Sequence, residues 1–151
     1  MRERNIRIAV VVVDLFAAVN AIVGAIGLVV GYMAIPRSTL SGTPFADFTV
    51  PALLLGIVVG GSALAAAAIA AFSPRGSALF GRWKIDALAT AIAGCIMVGW
   101  MAIEVALIGL AIWVQAAFFV VGLLMIVLAA LLQGAESHQV DTHSGRHAHA
   151  A

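Results

Sequence analysis

Charge is what this sequence has least of. Only 10% of its 151 residues are Asp, Glu, Lys or Arg, against roughly 25% in a soluble domain. So few charges cannot clothe a water-facing surface, and the apolar 64% must meet lipid instead. Histidine is missing from every long apolar run, which excludes a bis-histidine haem inside them. The single cysteine, Cys95, excludes an internal disulfide and any paired-cysteine exchange. It falls in mid-run, where it reads as a small packing residue. No phosphate-cradling glycine loop with lysine, no His-Glu-x-x-His and no nucleophile elbow occurs. A net charge of +1 leaves no basic surface for nucleic acid. No catalytic residue, cofactor or metal is expected, and an enzyme is the weakest of the functional classes.

What the sequence has is length of apolar run. A spanning helix needs about 20 mainly apolar residues, and four stretches qualify, 8–30, 50–72, 85–105 and 111–132. Membrane strands would show alternating segments of about ten residues. In lipid the backbone must satisfy its own hydrogen bonds, so continuous runs are helices. The expected fold is all-α, a four-helix transmembrane domain over 1–133. A polar tail, 134–151, follows it, lacks apolar periodicity and is expected to be disordered. All four histidines lie in that tail, unevenly spaced, and it reads as solvated rather than metal-binding. The basic start followed by a long run interrupted by Asp14 reads as a retained first helix, not a cleaved signal.

Basic residues collect on cytoplasmic flanks. Arg2, Arg4 and Arg7 precede the first span, and Arg75, Arg82 and Lys84 lie between the second and third. The connection between the first two spans has only Arg37, and the turn between the last two has none. Both termini are therefore expected in the cytoplasm of a bacterial inner membrane. The first external connection carries Pro36, Gly42 and Pro44, with Phe45 and Phe48 able to dip into the interface. It reads as a connector rather than a lid. Thr49 before Val50-Pro51 reads as the N-cap of the second helix. The short turn around Gly109 makes the last two helices an antiparallel hairpin.

Close packing of helices in lipid depends on small residues. Gly24, Gly27 and Gly31 on the first helix and Gly56 and Gly60 on the second supply them. Ala91, Cys95 and Gly99 follow on the third, and Gln115, Gly122 and Ala129 on the fourth. These seams suit a compact bundle, self-association or a partner's helices, and spacing does not separate the three.

Ionisable groups inside spans are costly and mark candidate sites. Asp14 is expected near the cytoplasmic boundary, paired with Arg75, Arg82 or Lys84, with Asn20 deeper as a hydrogen-bonding group of the interior. Its alternative role is a coupling carboxylate. Asp86 reads as a solvated rim residue. Glu104 lies one turn from Trp100, with Trp113 and Gln115 at matching depth across the hairpin. An indole and a carboxamide can both donate to a carboxylate, and Arg37 could balance its charge. The cluster reads either as a lock on the hairpin or as an outward pocket for a cationic or headgroup ligand.

The stretch Pro44-Phe-Ala-Asp-Phe-Thr-Val-Pro51, continuing to Gly61, and the stretch Gly99-Trp-Met-Ala-Ile-Glu104 with Trp113-Val-Gln115 carry a resemblance. They resemble small bacterial four-helix integral membrane proteins of uncharacterised families, and the layout is similar to DoxX-like proteins. The resemblance implies a bacterial membrane origin and no known activity, with Asp47 and Glu104 in the recurrent pattern. The function expected is a non-enzymatic accessory or subunit protein. A small transporter or ligand-binding protein using Glu104 is the alternative, and a membrane enzyme the next.

Overall fold

The computed structural model describes residues 3–32, 35–74, 78–79, 83–109 and 113–135. The helices are α1 (Glu3–Val29), α2 (Thr49–Phe72), α3 (Ile85–Ile108) and α4 (Trp113–Gly134). Each is long and apolar enough to cross a membrane. Only about a third of each span is buried inside the protein, so most side chains face outward and need lipid. At 1.5 Å per residue α3 is about 35 Å long, matching the roughly 30 Å hydrocarbon core. The chain is an all-α, multi-pass bundle. Among the described residues, the one extended element is an antiparallel pairing of β1 (Ala78–Leu79) with β2 (Trp83–Lys84) between α2 and α3. The histidine-bearing stretch 136–151 lies outside the described residues.

Three boundaries differ from the sequence reading by more than two residues or enter the expected tail, and one is the end of α3 at Ile108 rather than 105. Helix α1 begins at Glu3 rather than 8, because Glu3, Arg4 and Arg7 continue the helix beyond the apolar run that marks the span. Helix α4 continues to Gly134, the first residue of the expected tail.

The helices pack in sequence order, α1 on α2, α2 on α3 and α3 on α4, with α4 closing the ring on α1. Inward positions recur every three or four residues, as helix packing demands. On α3 they are Ala87, Thr90, Gly94, Met97 and Met101, and on α4 Gly122, Met125, Ala129 and Leu132. Met97 and Met125 fill the middle together with Ala17, Ala21, Val59 and Ala63. Phe16 of α1 stacks on Phe118 of α4, with centroids 6.5 Å apart.

Glycine sets two crossings. A Cβ on Gly94 would sit 2.9 Å from the Gly122 carbonyl oxygen, and one on Gly122 would sit 3.2 Å from that of Gly94. The α3–α4 backbones therefore approach as closely as the missing side chains allow. On α2, Gly56 faces Ala25, and Gly60 faces Ile22 and Ala21 of α1. Both glycines lie in Leu54–Gly60, a stretch wound as π-helix inside α2. Such wide turns occur often at functional sites and locally re-aim side chains.

At one end of the bundle, the basal end, helix-terminal charges are matched. The positive N-termini of α1 and α3 carry Glu3 and Asp86. The negative C-termini of α2 and α4 meet bases, as the helix dipole favours. Arg7 donates through Nε to Ala70 O (2.6 Å) and through Nη2 to Ser73 O (2.5 Å), closing the end of α2. Lys84 Nζ donates to Leu132 O (3.1 Å), and its backbone N–H donates to the Gln133 side chain (2.9 Å). Arg7 faces Asp86 at 3.5 Å, and Lys84 pairs with Glu3 at 3.1 Å. Asp86 is thus a buried member of this layer rather than a solvated rim residue.

Candidate functional site

Asp14 is not at the rim. It is the twelfth residue of α1, about 16 Å from the helix start, and is completely buried. Thr90 Oγ1 of α3 donates to Asp14 Oδ2 at 2.8 Å, across the diagonal of the bundle. Asp14 Oδ1 has no hydrogen-bond partner. The pairing expected with Lys84 fails because Lys84 is held at the basal end by Glu3 and Leu132. Arg75 and Arg82 lie outside the described residues. Between the charged layer and Asp14 the interior is closed by Ile6, Val10, Ala87, Leu128 and Leu132. Asn20 also departs from expectation. Its side-chain amide donates to Phe16 O of its own helix at 2.8 Å, so it ties no neighbouring helix through that bond.

The Glu104 cluster is assembled in part. Gln115 is buried on α4 and stands beside the half-buried Glu104 of α3. Trp100, one turn before Glu104, packs against the central core with its indole N–H buried and without an acceptor. Trp113 does not join them. It opens α4 and is 79% exposed, where an indole anchors at a membrane interface. Arg37 is exposed in the 3-10 turn Arg37–Leu40, and its charge acts on Asp47 rather than on Glu104. Asp47 caps α2: its Oδ1 accepts the Thr49 backbone N–H at 2.9 Å. Phe48, not Thr49, occupies the cap position and makes no side-chain cap bond, so Asp47 takes the role expected of Thr49. Hydrogen bonding from Thr49, with a smaller contribution from Arg37, holds the Asp47 carboxyl below its ordinary value.

The helix-packing glycines divide the same way. Gly56, Gly60 and Gly122 make the close contacts described, Gly27 is buried and Gly24 half-buried on α1. Gly31 lies beyond the end of α1 with φ +72°, a left-handed conformation that favours glycine, and has nothing within 4 Å of its would-be Cβ. Gly99 likewise meets nothing within 4 Å. Cys95 is exposed, so it is not a core-packing residue. The small-residue row expected to be an internal seam on α3 instead lies on its outer face, where Cys95, Gly99, Ala102 and Ala106 are all exposed.

Three participants escaped the sequence reading. Thr90 carries the hydroxyl that holds Asp14, and its signal was that it is the lone hydroxyl residue in α3. Gly94 makes the close approach that the spacing assigns to Gly99, since both stand among small residues. Arg7 reads in the sequence as a topological charge alone, and in the structure it ties α1 to α2 and α3.

No family model, no curated protein and no solved structure matches this chain.

Proposed function

We propose that this chain is a non-enzymatic subunit or accessory protein of a bacterial inner membrane, with both termini cytoplasmic. It acts by docking a transmembrane helix, from a partner or a second copy, onto the outer face of α3. The observation that carries this reading is the exposed row Cys95, Gly99, Ala102 and Ala106. The bundle's own close approaches use Gly56, Gly60, Gly94 and Gly122, so this row is surplus to its folding. The outward faces of α1 and α4 are different: they carry Val12, Phe16, Val19 and Val23, and Val120, Leu124, Val127 and Leu131. Bulky side chains suit lipid, whereas small ones let a second backbone come close.

Native mass spectrometry of the protein extracted gently from its own membranes tests this. The wild type should carry a stoichiometric protein partner or a second copy, and Gly99→Leu should lose it. A solitary 15.5 kDa chain from both would contradict the reading.

Trp100 favours a second reading. Its buried indole N–H lacks an acceptor one turn from the Glu104–Gln115 pair. A ligand offering an acceptor and a positive group would satisfy both, making this a ligand-binding membrane protein. In this reading Glu104→Gln abolishes binding while the fold survives. Loss of assembly or stability alone would count against it.

A further inference from the structure

We propose that the groove between the start of α1 and the end of α2 binds an anionic glycerophospholipid, its phosphate held by Arg4. The groove has a volume of about 410 Å³, within the usual size of small-molecule sites. Its chemistry changes along its length. Glu3, Arg4, Arg7 and Ser73 form a polar mouth at the basal end, and Ile8, Val11 and Val12 form an apolar floor leading toward the span. Arg4 and Ile8 are one helical turn apart, so a guanidinium stands directly above a lipid-facing apolar strip. Ile8 and Val12 are exposed on the bundle's outer surface, so the groove opens sideways to the bilayer.

The charge balance selects the ligand's sign. Arg7 is matched by Asp86, and Glu3 by Lys84. Arg7 also commits Nε and Nη2 to the end of α2. Arg4 is exposed and makes no hydrogen bond or ion pair among the described residues. Among the described residues, one uncompensated positive charge therefore remains at the mouth, and basic pockets at helix ends recognise anionic headgroups. A free phosphate would satisfy Arg4 but leave the apolar floor unused. A phospholipid uses both, with its acyl chain along Ile8 and Val12.

The test places the full chain in nanodiscs of equal phosphatidylglycerol and phosphatidylcholine and identifies the lipids retained on release by native mass spectrometry. Phosphatidylglycerol should be retained about fivefold over phosphatidylcholine, the weight of one basic residue at an anionic surface. Arg4→Gln should bring the ratio to about one with helicity and melting unchanged, since Arg4 ties no other element. Millimolar inorganic phosphate should leave the retained lipid in place. Equal retention by the wild type, an undiminished ratio in Arg4→Gln, or displacement by inorganic phosphate would each overturn the proposal. Because the readout is bound lipid, it fails or succeeds independently of any protein docked on α3.

Discussion

Thr90 reaches Asp14 across the diagonal of the bundle, Oγ1 to Oδ2 at 2.8 Å, and this hydrogen bond joins two helices whose backbones barely touch. Neighbouring helices in the ring are held by small-residue contacts. The diagonal is held in the interior by a hydroxyl and a carboxyl, buried where water does not compete, and at the basal end by Arg7 and Asp86.

Thr90→Val should therefore destabilise the protein by about 1–3 kcal/mol, because the buried carboxyl loses its donor. Thr90→Ser retains the hydroxyl and should cost less. Thr90→Val combined with Asp14→Val should recover part of the loss, since replacing both partners by apolar groups removes the unsatisfied acceptor. Unfolding of the wild type, these three variants and Asp14→Val alone in detergent, followed by circular dichroism, measures the differences. Additive losses in the double variant would argue against a coupled pair.

Gly94→Ala should destabilise by about 1–3 kcal/mol, as overpacking typically does. The new methyl would meet the Gly122 carbonyl at 2.9 Å, and backbone yields little. Gly99→Ala, with open space around it, should stay within about 0.5 kcal/mol of wild type. Melting curves of the two variants side by side decide whether the α3–α4 crossing lies at Gly94.

Asp47 gives a pH signature outside the membrane. Its carboxyl is held below the ordinary value of about 3.9, mainly by the Thr49 backbone N–H and then by the Thr49 side chain and Arg37. A depressed folded value means stability that is complete above the unfolded value and lost as pH falls through the folded one. Protection of the Thr49 amide, its exchange relative to an unstructured chain at the same pH, should therefore hold at neutral pH and fall only in acid below about 4. Asp47→Ala should lack this protection at neutral pH and match the wild type in acid. A transition near neutrality would contradict this cap.

The spans were legible because hydropathy over twenty residues does not depend on which way a helix is turned. Helix rotation was less so. On α3, Cys95 and Gly99 repeat at four residues just as Gly94 and Thr90 do, and size alone does not reveal which row faces Met125. The partner's shape decides, and that is non-local. The partner of Asp14 was not legible, because depth along one helix does not say which neighbouring side chain faces a buried carboxyl, and Thr90 rather than a base does so. The Glu104–Gln115 contact was legible from depth alone, whereas Trp113 was not, because a residue opening a helix can turn outward to the interface. The π-helical stretch left only the glycines at 56, 60 and 61 as a trace.

Cys95 supplies the most direct measurement, since the chain's single thiol stands in the α3 face proposed to dock a helix. Native membranes holding wild-type protein are treated with a short thiol-reactive cross-linker that also captures amines, hydroxyls or thiols by photoactivation. Cys95 should yield one dominant protein adduct, either a dimer or a complex with a single membrane partner, and Gly99→Leu should abolish it while the protein remains folded. Labelling of lipid alone, or an adduct unchanged by Gly99→Leu, would contradict docking on α3.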